Sequence, residues 1–236
     1  MKALLLAAGL GTRLRPITDV IPKCLVPING KPLLEYWLEN LTKVGVDEFV
    51  INTSYLSEQV EVFIKKSKYA KNVTLTHEDK LLNTGGTLLA NKEFFENETF
   101  MLVHADNLCF CDFNAFLESH KTRSVQCEIT MMLFKSDTPS SCGIVELDSN
   151  NIVQKFHEKV KNPPSNLANG AVYICEPSIF PFLESLGKQN IDFSNDVLPH
   201  YMSRINTYLN SIYHRDIGNI ESYALAQIEC FPSYDN

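Results

Sequence analysis

Short apolar runs alternate with amphipathic stretches through the first half of the chain, and that rhythm restricts the fold more than any other feature. Lys2 to Leu6 reads as a buried strand. The spacing then predicts a helix over Leu33–Lys43, a strand over Glu48–Asn52, a helix over Ser57–Lys66 and a strand over Val73–His77. A glycine-marked turn with a short helix follows, then a strand over Phe100–His104 and a helix over Asp112–His120. Alternation of this kind implies an α/β fold, with a Rossmann-like, mostly parallel mixed sheet covered by helices on both faces. Ligands of such sheets gather at the carboxyl ends of the strands. Gly9 to Arg13 and Asp106 fall there.

From Cys127 onward the rhythm changes. "CEITMMLF", "GIVELD", "NIVQKFHEK" and "AVYICE" are short strand candidates joined by turns, with "DSNN" as a hairpin signal. They predict a small added β region before a closing helix at "IESYALAQIE". The 236 residues suit one domain around one core.

The first candidate site is "LLLAAGLGTRLRP", Leu4 to Pro16. Gly9 and Gly11 let another group approach the backbone, and Arg13 adds a planar fork of donors suited to phosphate. Neither a G-x-G-x-x-G fingerprint nor a Walker A ending is present. Taken alone, the glycine pair fits an ordinary strand-to-helix turn equally well. In "DVIPKCLVPINGKPLLEY", Pro22, Pro27 and Pro32 hold the next segment extended around Lys23 and Lys31. Arg13, Lys23 and Lys31 are therefore three cations placed to face phosphate.

Taken together, "LAAGLGTRLRPITDVIPKCLVPINGKP" resembles the signature of the sugar-1-phosphate nucleotidyltransferases, L-A-A/G-G-x-G-T-R-L-x-P-x-T followed by P-K-x-L-x-P and K-P, without a gap from Leu6 to Pro32. The resemblance implies a nucleotide site at Leu6, Ala8, Gly9, Gly11, Thr12, Arg13 and Lys23. It also implies a base-and-ribose turn at Asn83, Thr84 and Gly85 in "LLNTGGTLLA", with Asn83 where glycine is usual. Thr84-Gly85-Gly86 looks most like guanylyltransferases acting on mannose- or heptose-1-phosphate, which points to GTP. "MLVHADNLCF" resembles the segment carrying a metal-binding aspartate, here Asp106, although His104 and Ala105 replace the usual small residue and glycine. "IYHRDIGNIESYALAQ" resembles the segment with the second such aspartate, Asp216. Read locally, Asp106 could instead cap the helix near Asp112, and Asp216 could pair with Arg215.

"KFHEKV" resembles F-x-E-K-P, which makes Glu158 a sugar-hydroxyl ligand and Lys159 a sugar-phosphate ligand. Gly143 and Asn169 match the glycine and asparagine that meet the sugar. On this reading about 1–125 form a nucleotide half and about 126–236 a sugar-binding, closing half, the added β region covering the sugar site. The reaction implied is in-line attack of a sugar 1-phosphate oxygen on the α-phosphorus of a nucleoside triphosphate. Arg13, Lys23 and Asp106 would be its catalytic residues, with Mg²⁺ between Asp106 and Asp216. A phosphate monoester is largely ionised near neutral pH, its second pKa being ~6, so no general base is required. Two other readings remain: a cytidylyl-, uridylyl- or thymidylyltransferase for another sugar or small-molecule phosphate, and a silent regulatory subunit. Retention of Arg13, Lys23 and both aspartates favours an enzyme.

Composition excludes other classes. A formal net charge of -7 argues against a general nucleic-acid or anionic-membrane surface. No stretch approaches the roughly 20 apolar residues of a membrane span. Seven scattered cysteines suit a reducing compartment, so a cytoplasmic location is expected. Cys109 and Cys111 have no second pair at metal-ligand spacing and read as free thiols. The sequence leaves the oligomeric state open, a homodimer included.

Overall fold

The computed structural model describes residues 1–230. Its strands are β1 (Lys2–Leu6), β2 (Pro27–Ile28), β3 (Lys31–Pro32), β4 (Glu48–Thr53), β5 (Val73–His77), β6 (Phe100–His104), β7 (Asn107–Phe110), β8 (Ile129–Lys135), β9 (Gly143–Leu147), β10 (Val153–Glu158), β11 (Leu167–Cys175), β12 (Ile205–Leu209) and β13 (Tyr213–Asp216). The helices are α1 (Leu33–Lys43), α2 (Ser57–Lys66), α3 (Asn83–Ala90), α4 (Lys92–Phe95), α5 (Phe113–Lys121), α6 (Ile179–Ser185) and α7 (Ile220–Glu229).

Nine strands form one sheet. β6, β1, β4 and β5 run parallel, with Leu4 paired to Leu102 on one side and Val50 on the other. Antiparallel β11 joins this block to β9 and β10, while β8 and β12 continue from β11. The expected added β region is thus an extension of the main sheet. "DSNN" makes the β9–β10 turn, with Asn151 at φ 60°.

Alternation along the buried strands divides the core in two. Ala3, Leu5, Met101 and Val103 face α1, α2 and α5, while Leu4, Phe100 and Leu102 face α3, α4 and α6. Helix α1 shows why the pattern is readable: Leu34, Trp37, Leu38 and Leu41 recur at helical spacing and all reach the first core. A third cluster, including Leu14, Val26, Leu108, Ile217 and Ala226, ties the loop after β1 to β7 and α7. The chain beyond β6 is held over the loop after β1 by this packing.

Candidate active site

β7 and β13 form a separate two-stranded antiparallel ribbon, with Asp216 registered opposite Asn107. Asp106 immediately precedes this ribbon, so two aspartates 110 positions apart in sequence become neighbours. Trp37 supports the turn by donating its indole N–H to the Asn107 carbonyl at 2.8 Å. Lys23 enters from a short 3-10 turn after Pro22, and only 5% of its surface is exposed. Its Nζ lies 2.7 Å from Asp106 Oδ2 and 3.4 Å from Asp216 Oδ1. The exposed Arg13 approaches Asp216 at 3.8 Å.

This is a charge-matched cluster. Burial alone would lower the Lys23 pKa, but Asp106 and Asp216 outweigh it and hold the ammonium above its ordinary range. Burial would likewise raise the Asp106 carboxyl, and the Lys23 charge overrides that and holds it below the usual carboxylate range. Both local alternatives fail on geometry. Arg215 pairs with Glu229 at 2.7 and 2.8 Å, and Asp112 rather than Asp106 caps α5 by accepting from Ala115 N–H at 2.9 Å. Lys31 is a correction: it pairs with Glu39 and sits over the Tyr36 ring, away from this cluster.

In the loop after β1, Gly11 has φ +61°, and a Cβ there would stand 2.8 Å from Thr18 Cγ2. Its carbonyl accepts from Leu14 N–H and the Thr18 hydroxyl. Gly11 therefore shapes the turn that presents the exposed Thr12 and Arg13. Gly9 has open space around its Cα, leaving room for a ligand against the backbone.

A cavity of about 210 Å³ opens beside this loop. Of the residues named from the sequence, Leu6, Ala8, Gly9, Lys23, Asn83, Thr84 and Asp106 line it, whereas Gly11, Thr12, Arg13 and Gly85 do not. The sequence reading missed Asn52, Glu78, Leu81, Thr87 and His104 on the same wall. Asn52 accepts from Ala7 N–H at 2.7 Å and donates to Glu78 Oε1 at 2.9 Å. Thr87 donates to the same Oε1 at 2.6 Å, and Leu82 N–H donates to Oε2 at 3.0 Å. Glu78 is thereby fixed in one orientation. The only signal in the sequence was a polar residue at the end of an apolar strand.

Asn83 adopts the left-handed conformation, with φ 60°, which asparagine tolerates better than most residues. Thr84 to Gly86, however, lie inside helix α3 rather than in an open turn. Gly85 and Gly86 donate their N–H groups to the Ile191 carbonyl, and a Cβ on Gly85 would stand 2.7 Å from Ile191 Cγ2. Close packing explains these glycines, and their backbone donors are already committed.

The expected sugar ligands gather on the antiparallel side. Gly143 and Glu158 are register partners of β9 and β10, and a Cβ at Gly143 would stand 2.8 Å from Glu158 Oε2. Lys159 follows at φ 50°, its side chain exposed and 3.2 Å from Glu158. On β11, Asn169 donates to the Tyr173 hydroxyl at 2.6 Å and accepts from Ala171 N–H at 2.9 Å.

A family model for nucleotidyl transferases matches residues 2–230. The chain belongs to the nucleotidyl transferase family. The chain is 32% identical over 213 residues to a UTP–glucose-1-phosphate uridylyltransferase of Synechocystis, covering 84% of this chain and 54% of that one. It is 30% identical over 234 residues to a mannose-1-phosphate guanyltransferase of Schizosaccharomyces pombe, covering 94% and 62%. It therefore spans between half and two thirds of the length of these curated relatives. Among solved structures, HddC from Yersinia pseudotuberculosis complexed with GMP-PN superposes with a TM-score of 0.80 at 27% identity, covering 97% of this chain and 98% of that one.

Members of the family generally use a divalent metal for catalysis. The residues of this chain fit one. Asp106 and Asp216 offer hard oxygen donors, and the Lys23 ammonium between them shows that a positive charge is accommodated there. Among the described residues no group of three or more His, Cys, Asp or Glu side chains could hold a metal. A cation there would be held by Asp106 and Asp216 and would draw its remaining ligands from outside the described side chains.

Proposed function

We propose that this chain transfers a guanylyl group from GTP to a mannose- or heptose-type sugar 1-phosphate, releasing pyrophosphate. The observation that carries the choice of base is Glu78, an acceptor carboxylate fixed in the cavity wall with a lone pair of Oε2 still free. Guanine presents N1–H with the N2 amino group beside it, so one of these donors can meet that lone pair with no carbonyl oxygen on the same side. Uracil and thymine present one donor flanked by two carbonyl oxygens, which a carboxylate repels. The guanyltransferase relatives and the GMP-PN complex of HddC support the same choice.

In this reading Arg13 holds the β- and γ-phosphates, Lys23 the reacting phosphates and Lys159 the phosphate of the sugar. Glu158 and Asn169 position the sugar ring, with Gly143 beside them and its Cβ space taken by the Phe156 ring. Mg²⁺ held by Asp106 and Asp216 would supply further charge neutralisation at the phosphates. Catalysis then consists of positioning and charge stabilisation without a general base. Residues 1–125 act as the nucleotide half and 126–236 as the sugar half. We place the activity in the cytoplasm, supported by seven free cysteines.

A pyrophosphate-release screen of five nucleoside triphosphates against a panel of sugar 1-phosphates tests the proposal. GTP with a manno-configured hexose or heptose 1-phosphate is the expected pair. Robust turnover of UTP or dTTP with GTP inert overturns it. Glu78→Gln should narrow the preference for GTP over UTP by about tenfold, the scale of one misplaced hydrogen bond.

A further inference from the structure

His104 has no part in the scheme above, yet it stands at its centre. It is the last residue of β6, and alternation places it on the face of Phe100 and Leu102, toward α3. Its register partner on β1 is Leu6, in the nucleotide cavity. On the other side of β6, β11 runs from Val172, paired with Val103, back toward Asn169. His104 therefore occupies the seam between the two halves of the cleft and lines the cavity itself.

Its Nε2 is buried and has no hydrogen-bond partner among the described residues. Buried polar atoms are rarely left so, because the cost of removing them from water is then uncompensated. Nothing in packing asks for an imidazole here, since the residues before it on the same face are Phe100 and Leu102. A ring nitrogen of an imidazole can exchange a hydrogen bond with a hydroxyl, which both donates and accepts.

We propose that His104 is a specificity-determining residue whose ring nitrogen hydrogen-bonds a ring hydroxyl of the substrate lying across the end of β6. The hydroxyl belongs to the ribose of the triphosphate or to the sugar of the 1-phosphate. The inference rests on the cavity being the nucleotide site.

The test uses the best substrate pair from the screen, beginning with GTP and mannose 1-phosphate, together with their singly deoxygenated analogues. The wild type should lose about tenfold in kcat/KM toward one analogue, the scale of one hydrogen bond. His104→Leu should be weaker with the parent pair but should no longer distinguish that analogue. His104→Gln, which keeps a donor and an acceptor, should recover part of the discrimination, and it replaces the leucine variant if that one does not fold. Loss with 2′- or 3′-deoxy-GTP assigns the ribose, and loss with a deoxy-sugar phosphate assigns the sugar. Equal discrimination by the wild type and both variants overturns the role of His104. A wild type that turns over no pair instead overturns the reading of the cavity.

Discussion

At the scale of single residues, the cluster of Lys23, Asp106 and Asp216 makes separable demands. Lys23→Ala should lower kcat by about 10²–10³ with saturating substrates, the usual effect of losing one charge stabiliser at a reacting phosphate. A near-normal rate would return Lys23 to a structural ion pair. Asp106→Asn and Asp216→Asn should each shift the Mg²⁺ titration to higher concentration. Their combined effect on rate should fall well short of the sum, because the two act as one unit. If Asp216→Asn leaves the Mg²⁺ midpoint and rate unchanged, Asp216 does not belong to the site. Omitting divalent metal should abolish turnover in the wild type.

Among elements, the glycines divide by what surrounds them. A Cβ on Gly86 would overlap the Gln189 carbonyl, whereas one on Gly9 meets nothing. Gly86→Ala should destabilise by about 2 kcal/mol, in the range of overpacked sites, and lower the melting temperature by several degrees. Gly9→Ala should melt like the wild type but bind GTP more weakly, measured by calorimetry. The same contrast explains what could be read from the chain. Helices α1, α2 and α7 fall where their spacing placed them, because each carries its own periodic stripe or cap. β7 and β13 escaped notice because strands of four residues with polar members, such as "YHRD", have no period to detect. The Asn52–Glu78–Thr87 network was equally silent, since it exists only after β4, β5 and α3 meet. Arg13 and Lys23 sit in the motif that runs without a gap from Leu6 to Pro32, Asp106 and Asp216 in shorter imperfect matches, and the structure brings the four together. Lys31 shared such a motif and still points elsewhere, drawn off by Glu39.

For the whole molecule, acid stability has a specific weak point. His120 links α5 to β8 and β11, bonding Thr130 at 2.7 Å and Glu176 at 3.1 Å. Burial and the nearby Arg123 charge push its pKa down from 6.5 to about 4. The unfolded chain therefore binds a proton that the folded protein refuses between those values. This contribution is fully present above pH 6.5 and is lost as pH falls toward 4, by on the order of 1 kcal/mol at pH 5. Urea midpoints measured from pH 7 to 4.5 should fall more steeply for the wild type than for His120→Gln. Matching slopes would remove His120 as the cause. The ribbon of β7 and β13 has a different consequence, for synthesis. A ribosome that has emitted everything through α5 has delivered the parallel core, Lys23 and Asp106, but not the second carboxylate. Until the strand carrying Asp216 emerges and pairs with β7, a nascent chain holds a lysine neutralised on one side only. Pairing of the Asp216 strand with β7 must therefore come before the three charged groups can stand together.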